Sequence, residues 1–287
     1  MIGVVGCGAM GQPMAEALLR AGIATIGHDV RPRIEFGEFA GHMTSTIQEL
    51  GSRAETVISV VRDSQQTLDV IEGLGLKQPP AQSAGQGHGV RSFIISSTLS
   101  PRFVTSLRDV LHPDIALVDA PMSGTTFRAR LGTLTFMLGG SESAISPLMP
   151  LFQAMGQEAH HLGPLGAGMA AKVLNNFVAA SSVTAVRTVL AQAEALGLAP
   201  ARLLSVMRSS SGGTWFGNNL EQIDWSAEAH DPGNTLGLLE KDVRAYLDGV
   251  SGDGAPDALT AAVLDRLRHI PELPENVFSN QEDTQIS

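Results

Sequence analysis

The chain has 287 residues, of which 43% are hydrophobic and 17% charged, with a formal net charge of -10. This describes a globular protein of one or two domains, and the acidic excess, with no basic tract to offset it, argues against nonspecific nucleic-acid binding. One cysteine, Cys7, excludes an internal disulfide and a multi-cysteine metal site. The start MIGVVGCG carries no secretory leader and the uninterrupted apolar runs are short, so the expectation is a soluble cytoplasmic protein that spans no membrane.

Ile2 to Val5 is a short apolar strand running into Gly6-Cys7-Gly8-Ala9-Met10-Gly11, and QPMAEALLRAG then has helical periodicity to Gly22. Between a strand and a helix, this glycine pattern reads as a dinucleotide-binding loop. Gly6 permits the tight turn, Gly8 lets the backbone approach a pyrophosphate, and Gly11 allows the helix to pack closely on the strand. The phosphates would sit at the helix N-terminus, where unpaired N–H groups and the dipole favour negative charge. Cys7, Ala9 and Met10 join the glycines as candidate cofactor contacts. The second strand, Ile23 to His28, ends at Asp29, about 20 residues beyond the glycines. An acidic residue there accepts hydrogen bonds from the adenosine ribose hydroxyls and repels a 2'-phosphate, which favours NAD over NADP. Arg31 is the opposing signal: it either stacks on adenine or meets a 2'-phosphate, or it is a solvated loop charge.

Further on, Thr46 and Glu49 form a capping box, and Thr56 to Val61 reads as a central parallel strand. A helix follows from Ser64 to Gly73; residues 77 to 90, including His88, lack periodicity and read as a surface loop. Ser92 to Ser96 is the next strand, after which Ser100 and Pro101 open a helix. Ala116 to Ala120 is another strand, leading into Pro121-Met122-Ser123-Gly124, and Thr133 to Leu138 precedes a helix from Glu142 to Met155. This alternation predicts an α/β fold with a doubly wound sheet whose ligands lie at the carboxyl ends of the strands. Asp29, Val60, Val61 to Asp63, Thr98 and Ser123 all fall at such ends. His160 and His161 point to opposite faces of a strand and lack a third ligand, so no metal site is expected.

The stretch from Gly163 to Gly197 predicts one long helix of about 45 Å at roughly 1.5 Å per residue, closed by a left-handed glycine cap. Within an Ala- and Val-rich surround, Lys172 and Asn176 stand four apart on one face and form a small proton-donating site. Before this helix strands and helices alternate; after it come only helices, at Ala199 to Ser209, Gly217 to Ile223, Leu236 to Asp248 and Asp257 to Ile270. The division predicts a dinucleotide-binding domain over residues 1–162 and a helical domain over 163–287. A small helical domain hardly covers so long an apolar helix, so a homodimer or homotetramer is expected. Trp215, Phe216 and Asn219 read either as substrate-cleft residues or as an aromatic core or dimer contact.

Four blocks in this order, VGCGAMGQPMAEALLRAG, DAPMSGTTFRARLGTLTFMLGG, GAGMAAKVLNN and LLEKDVRAYLD, resemble the β-hydroxyacid dehydrogenases, relatives of 6-phosphogluconate dehydrogenase. The resemblance covers residues 1 to about 265. It implies a Rossmann domain followed by an all-helical domain, with nicotinamide and substrate meeting in the cleft beside the long helix. It also implies an NAD(P)-dependent oxidoreductase acting on a small anionic carboxylate, a 3-hydroxyacid or its semialdehyde. Lys172 matches the catalytic lysine and Asn176 the asparagine one turn on. Ser123, Gly124 and Thr125 match the segment that binds the substrate carboxylate, Thr98 a hydroxyl residue near the nicotinamide, and Lys241 a second lysine bordering the pocket. Departures are Arg62-Asp63 after the third strand, Thr125 in place of a glycine, and the C-terminal segment PELPENVFSNQEDTQIS. An imine reductase, which typically lacks the lysine, and a noncatalytic NAD(H) sensor are the alternative readings.

Overall fold

The computed structural model describes residues 1–78, 89–251, 254–273 and 277. Most of the expected loop 77–90, with His88, and most of the atypical C-terminal segment lie outside the described residues. The chain forms two compact units, Met1–Lys172 and Val173–Ser287.

The first unit is built on strands β1 (Ile2–Val5), β2 (Thr25–His28), β3 (Thr56–Ser59), β4 (Ser92–Ile95), β5 (Ala116–Asp119), β6 (Met122–Ser123), β7 (Leu134–Gly139) and β8 (Gly156–Gly163). Its helices are α1 (Gly11–Arg20), α2 (Ile47–Arg53), α3 (Ser64–Gly73), α4 (Pro101–Val110), α5 (Thr126–Leu131), α6 (Glu142–Ile145), α7 (Met149–Met155) and the start of α8 (Ala167–Ala193). Among the described residues the sheet runs β2-β1-β3-β4-β5-β7-β6, with β8 on β7. β1 to β5 are parallel, as the alternating pattern predicts, while β7 is antiparallel to β5 and β6.

Strand alternation divides the core between the two faces of this sheet. Val4, Ile58, Ile94 and Val118 pack with Met14 and Leu18 of α1 and with Phe136 and Phe152, whose rings lie 5.2 Å apart. Val5, Val57, Phe93, Ile95 and Leu117 pack on the other face with Leu50, Val70, Ile71, Val104 and Leu107. Each such side chain contributes about 1.5–3 kcal/mol when fully buried.

Local signals set the helix starts. Thr46 Oγ1 accepts from Glu49 N at 3.1 Å, and the Glu49 carboxylate answers by accepting from Ser45 N at 2.8 Å. Asp63 accepts from Gln66 N at 2.8 Å and caps α3, which gives this departure from the family pattern a local reason. The expected helix from Glu142 to Met155 is interrupted by a 3-10 turn, Ser146–Leu148. Pro147 and Pro150 lack the N–H that a continuous helix needs there. Arg33–His42 adds 3-10 turns after β2 that periodicity alone does not reveal.

The second unit holds the remainder of α8, with α9 (Pro200–Arg208), α10 (Trp215–Asn218), α11 (Thr235–Ser251) and α12 (Ala258–Arg268). After the 3-10 turn Glu194–Leu196, Gly197 closes the long helix at φ 74°, the left-handed cap expected from sequence. Ala180, Val183, Val186 and Leu190 of α8 meet Leu204, Phe216, Leu236, Val243, Val263 and Leu267. Phe216 is therefore a core residue, stacked on Trp225 at 5.6 Å, while Trp215 remains exposed. By length and composition Ala167–Leu196 would also suit a bilayer, but its buried positions make it a core helix. Arg187, 3% exposed in this helix, donates to the carbonyls of Ser226, Glu228 and Pro271. Burial brings its pKa down to about 10.

Candidate active site

The loop between β1 and α1 has the geometry that its three glycines imply. Gly6 has φ 87°, and a Cβ on it would lie 2.7 Å from the Val60 carbonyl oxygen. A Cβ on Gly11 would lie 2.0 Å from the Gly6 carbonyl oxygen, so helix and strand approach as only glycine permits. Gly8 has open space where its Cβ would stand, with no atom within 4 Å. A cavity of about 550 Å³ lies here, lined by Gly8, Ala9, Gln12, Arg31 and Arg130 among others. The carboxyl ends of β2, β3 and β4 also carry polar groups without hydrogen-bond partners: His28 Nδ1 and the hydroxyls of Ser59, Ser96 and Ser97. A closely backed glycine turn, an open Gly8 and unmet polar capacity at the strand ends fit a dinucleotide.

Asp29 follows β2 and is held by Arg31. The Arg31 Nε and backbone N both donate to Asp29 Oδ1 at 3.1 Å, and Nη2 donates to the Cys7 carbonyl at 2.9 Å. The guanidinium also lies 4.7 Å above the Phe36 ring. Arg31 is thus no freely solvated loop charge; the hydrogen bond to Asp29 raises its pKa. Cys7 is fully buried, and burial followed by the Asp29 charge pushes its thiol up to about 12.

Elsewhere in the first unit, Thr98 follows β4 and Ser123 ends β6, both partly buried. Gly124 has φ 137°, and a Cβ there would meet Leu134 at 2.8 Å. Thr125 takes the cap position of α5, its hydroxyl accepting from Arg128 N at 3.5 Å, so the hydroxyl residue in place of a glycine starts a helix. Lys172, partly buried, and Asn176, buried, stand four positions apart on α8.

In the second unit the Asn176 amide donates to Asp242 Oδ2 at 2.6 Å, and Lys241 Nζ lies 3.1 Å from Oδ1 of the same carboxylate. Lys241 therefore pairs with Asp242. Glu240 is held instead by His230, Arg244 and Arg268. The sequence reading missed Asp242 and Asp119, although each stands inside a block that it singled out. His160 lies 3.9 Å from Glu158, whereas His161 bonds to Glu142 and to the carbonyls of Gly140 and Gly163.

Residues 1–163 match the family described as the NAD binding domain of 6-phosphogluconate dehydrogenase. Residues 166–273 match that described as NAD-binding of NADP-dependent 3-hydroxyisobutyrate dehydrogenase. The chain therefore belongs to the β-hydroxyacid dehydrogenase family; it is an oxidoreductase, a nicotinamide-dependent hydroxyacid dehydrogenase. Among its relatives are the L-threonate dehydrogenase of Cupriavidus necator, 31% identical over 91% of this chain and 87% of that protein, and the NAD-dependent L-serine dehydrogenase of Pseudomonas aeruginosa, 35% identical over 75% and 71%. A solved structure of Mycobacterium tuberculosis 3-hydroxyisobutyrate dehydrogenase with L-serine superposes with a TM-score of 0.77 at 26% identity, covering 94% of this chain and 95% of that one.

Proposed function

We propose that the protein interconverts a small 3-hydroxyacid and its semialdehyde or ketone, using NAD in preference to NADP, with Lys172 as general acid and base. The observation that carries the substrate class is chemical: threonate, serine and 3-hydroxyisobutyrate, named for the relatives, all bear a hydroxyl on the carbon β to a carboxylate. The nicotinamide, when bound, accepts hydride from that carbon or returns it. Lys172 takes the hydroxyl proton during oxidation and supplies it to the carbonyl oxygen during reduction. Asn176, one of whose two amide N–H groups is committed to Asp242, orients the reacting oxygen with the other. Ser123, Gly124 and Thr125 hold the carboxylate, Lys241 adds positive charge, and Thr98 borders the nicotinamide.

The preference for NAD is supported by Asp29, whose side chain is 9% exposed and pinned by Arg31. A 2'-phosphate would have to draw Arg31 away from that carboxylate. A homodimer or homotetramer is supported by the exposed Leu174, Val178 and Val189 on α8. The buried thiol of Cys7 suits the reducing cytoplasm.

Initial rates of nicotinamide absorbance change test the reading, with NAD and NADP separately, over a panel of 3-hydroxyacids and their semialdehydes. Wild type should turn over at least one acid faster with NAD, Lys172→Ala should lose at least about a hundredfold in kcat, and Asp29→Ser should narrow the cofactor ratio. Cofactor binding without turnover of any compound would sink the proposal. A monomeric mass by light scattering would sink the assembly.

A further inference from the structure

Asp119 is the last residue of β5 and fully buried. A carboxylate in such a place is costly unless donors surround it. Its Oδ1 accepts from Gly166 N at 2.7 Å and its Oδ2 from Met169 N at 2.6 Å. Both amides belong to the opening of α8, where N–H groups lack partners within the helix. Burial pushes the Asp119 carboxyl up, while these amides push it back.

The surroundings are shaped to this contact. A Cβ on Gly139 would lie 2.2 Å from Asp119 Oδ1, and one on Gly168 would lie 2.2 Å from the Met137 carbonyl oxygen. Met169 is tied a second time, its sulfur accepting from Leu99 N at 3.3 Å. The first turn of α8 is thus fastened to β5, to β7 and to the segment after β4. An ordinary helix cap comes from the residue at the helix start. Asp119 instead reaches across 47 and 50 residues of sequence, so it fixes where the helix begins in space as well as satisfying its amides.

Lys172 follows Met169 by less than one turn, about 4.5 Å along the axis at roughly 1.5 Å per residue. Any slip of that first turn carries the lysine with it. We propose that Asp119 is a positioning residue for proton transfer: by holding Gly166 and Met169 it registers Lys172 against the strand ends that lead to Thr98 and Ser123. The inference rests on the reading of Lys172 as general acid and base.

The test is a double-mutant cycle in the full chain, read by kcat, KM, dinucleotide affinity and the solvent deuterium isotope effect. Asp119→Asn keeps the side-chain size but turns one acceptor toward an amide as a donor. It should lower kcat by about tenfold or more, since small misplacements of reacting groups are that costly, and leave KM and dinucleotide affinity within about twofold. The solvent isotope effect on kcat should rise. In a Lys172→Ala background, assayed with ethylamine to restore a proton donor, the same substitution should change the rate by less than about twofold. Equal losses in both backgrounds, or an unchanged isotope effect, would overturn the positioning role. A Lys172→Ala enzyme as fast as wild type would overturn the acid–base reading instead. Should Asp119→Asn fail to fold cooperatively, the cycle is read on Asp119→Glu, which keeps the carboxylate but displaces its oxygens from the Gly166 and Met169 amides, with a loss of about tenfold again expected.

Discussion

Asn176 and Asp242 share a 2.6 Å hydrogen bond across 66 residues of sequence, and both side chains are buried. An amide presents two different faces, and this bond decides which one points where. Asp242→Ala would free the Asn176 amide and leave Lys241 without its carboxylate. The loss of one hydrogen bond to a charged group, about 1.5–3 kcal/mol, corresponds to a roughly 10- to 100-fold drop in kcat/KM. Steady-state kinetics check this, with circular dichroism as the control for folding.

The glycine loop separates folding from cofactor binding. Gly8→Ala meets no neighbour in the protein, so its melting temperature should stay within about 2 °C of wild type while dinucleotide affinity falls by about tenfold or more. Gly11→Ala drives a methyl group into the Gly6 carbonyl, and both properties should suffer. Thermal melts beside fluorescence titration with NADH distinguish the two.

Cys7 sits inside that loop, yet with its pKa near 12 the thiol stays protonated across the working range. Because alkylation needs the thiolate, iodoacetamide at pH 8 should label the native protein at least about a hundredfold more slowly than the urea-unfolded chain. Rapid labelling of the native state, read by mass spectrometry, would contradict the burial of this residue.

His161 gives a pH dependence of defined sign. The Gly140 carbonyl, then that of Gly163 and the Glu142 carboxylate, raise its pKa in the folded state. A raised histidine contributes stability that is fully present below its unfolded pKa of about 6.5 and lost as pH rises through the folded value. His161→Gln should therefore melt lower than wild type at pH 5.5, with the gap closing toward pH 9. A gap that widens with pH would reverse the assignment.

What sequence alone reveals divides by distance along the chain. The turn at Gly6 and the close approach at Gly11 are legible because a strand, a turn and a helix within a few residues impose them. The cap at Gly197 and the box at Thr46 and Glu49 are legible for the same reason. The amide partners of Asp119 and the Asn176 partner of Asp242 are not, since these donors lie 47, 50 and 66 residues away, and neither an acidic residue closing an apolar strand nor one within a helix gives any sign of them. The break at Ser146–Leu148 was written in Pro147 and Pro150, but the apolar periodicity across Glu142 to Met155 hides it. Phe216 had two readings that only its packing against Trp225 separates.

Arg187 makes the order of synthesis matter. Its carbonyl partners, Ser226, Glu228 and Pro271, come 39, 41 and 84 residues later in the chain. On the ribosome the long helix emerges with a guanidinium meant for an interior that does not yet exist. The sheet unit can close while the chain is still growing, but the helical unit can bury Arg187 fully only after Pro271 has left the exit tunnel. A chain cut short of that proline keeps a buried charged group with one of its acceptors missing.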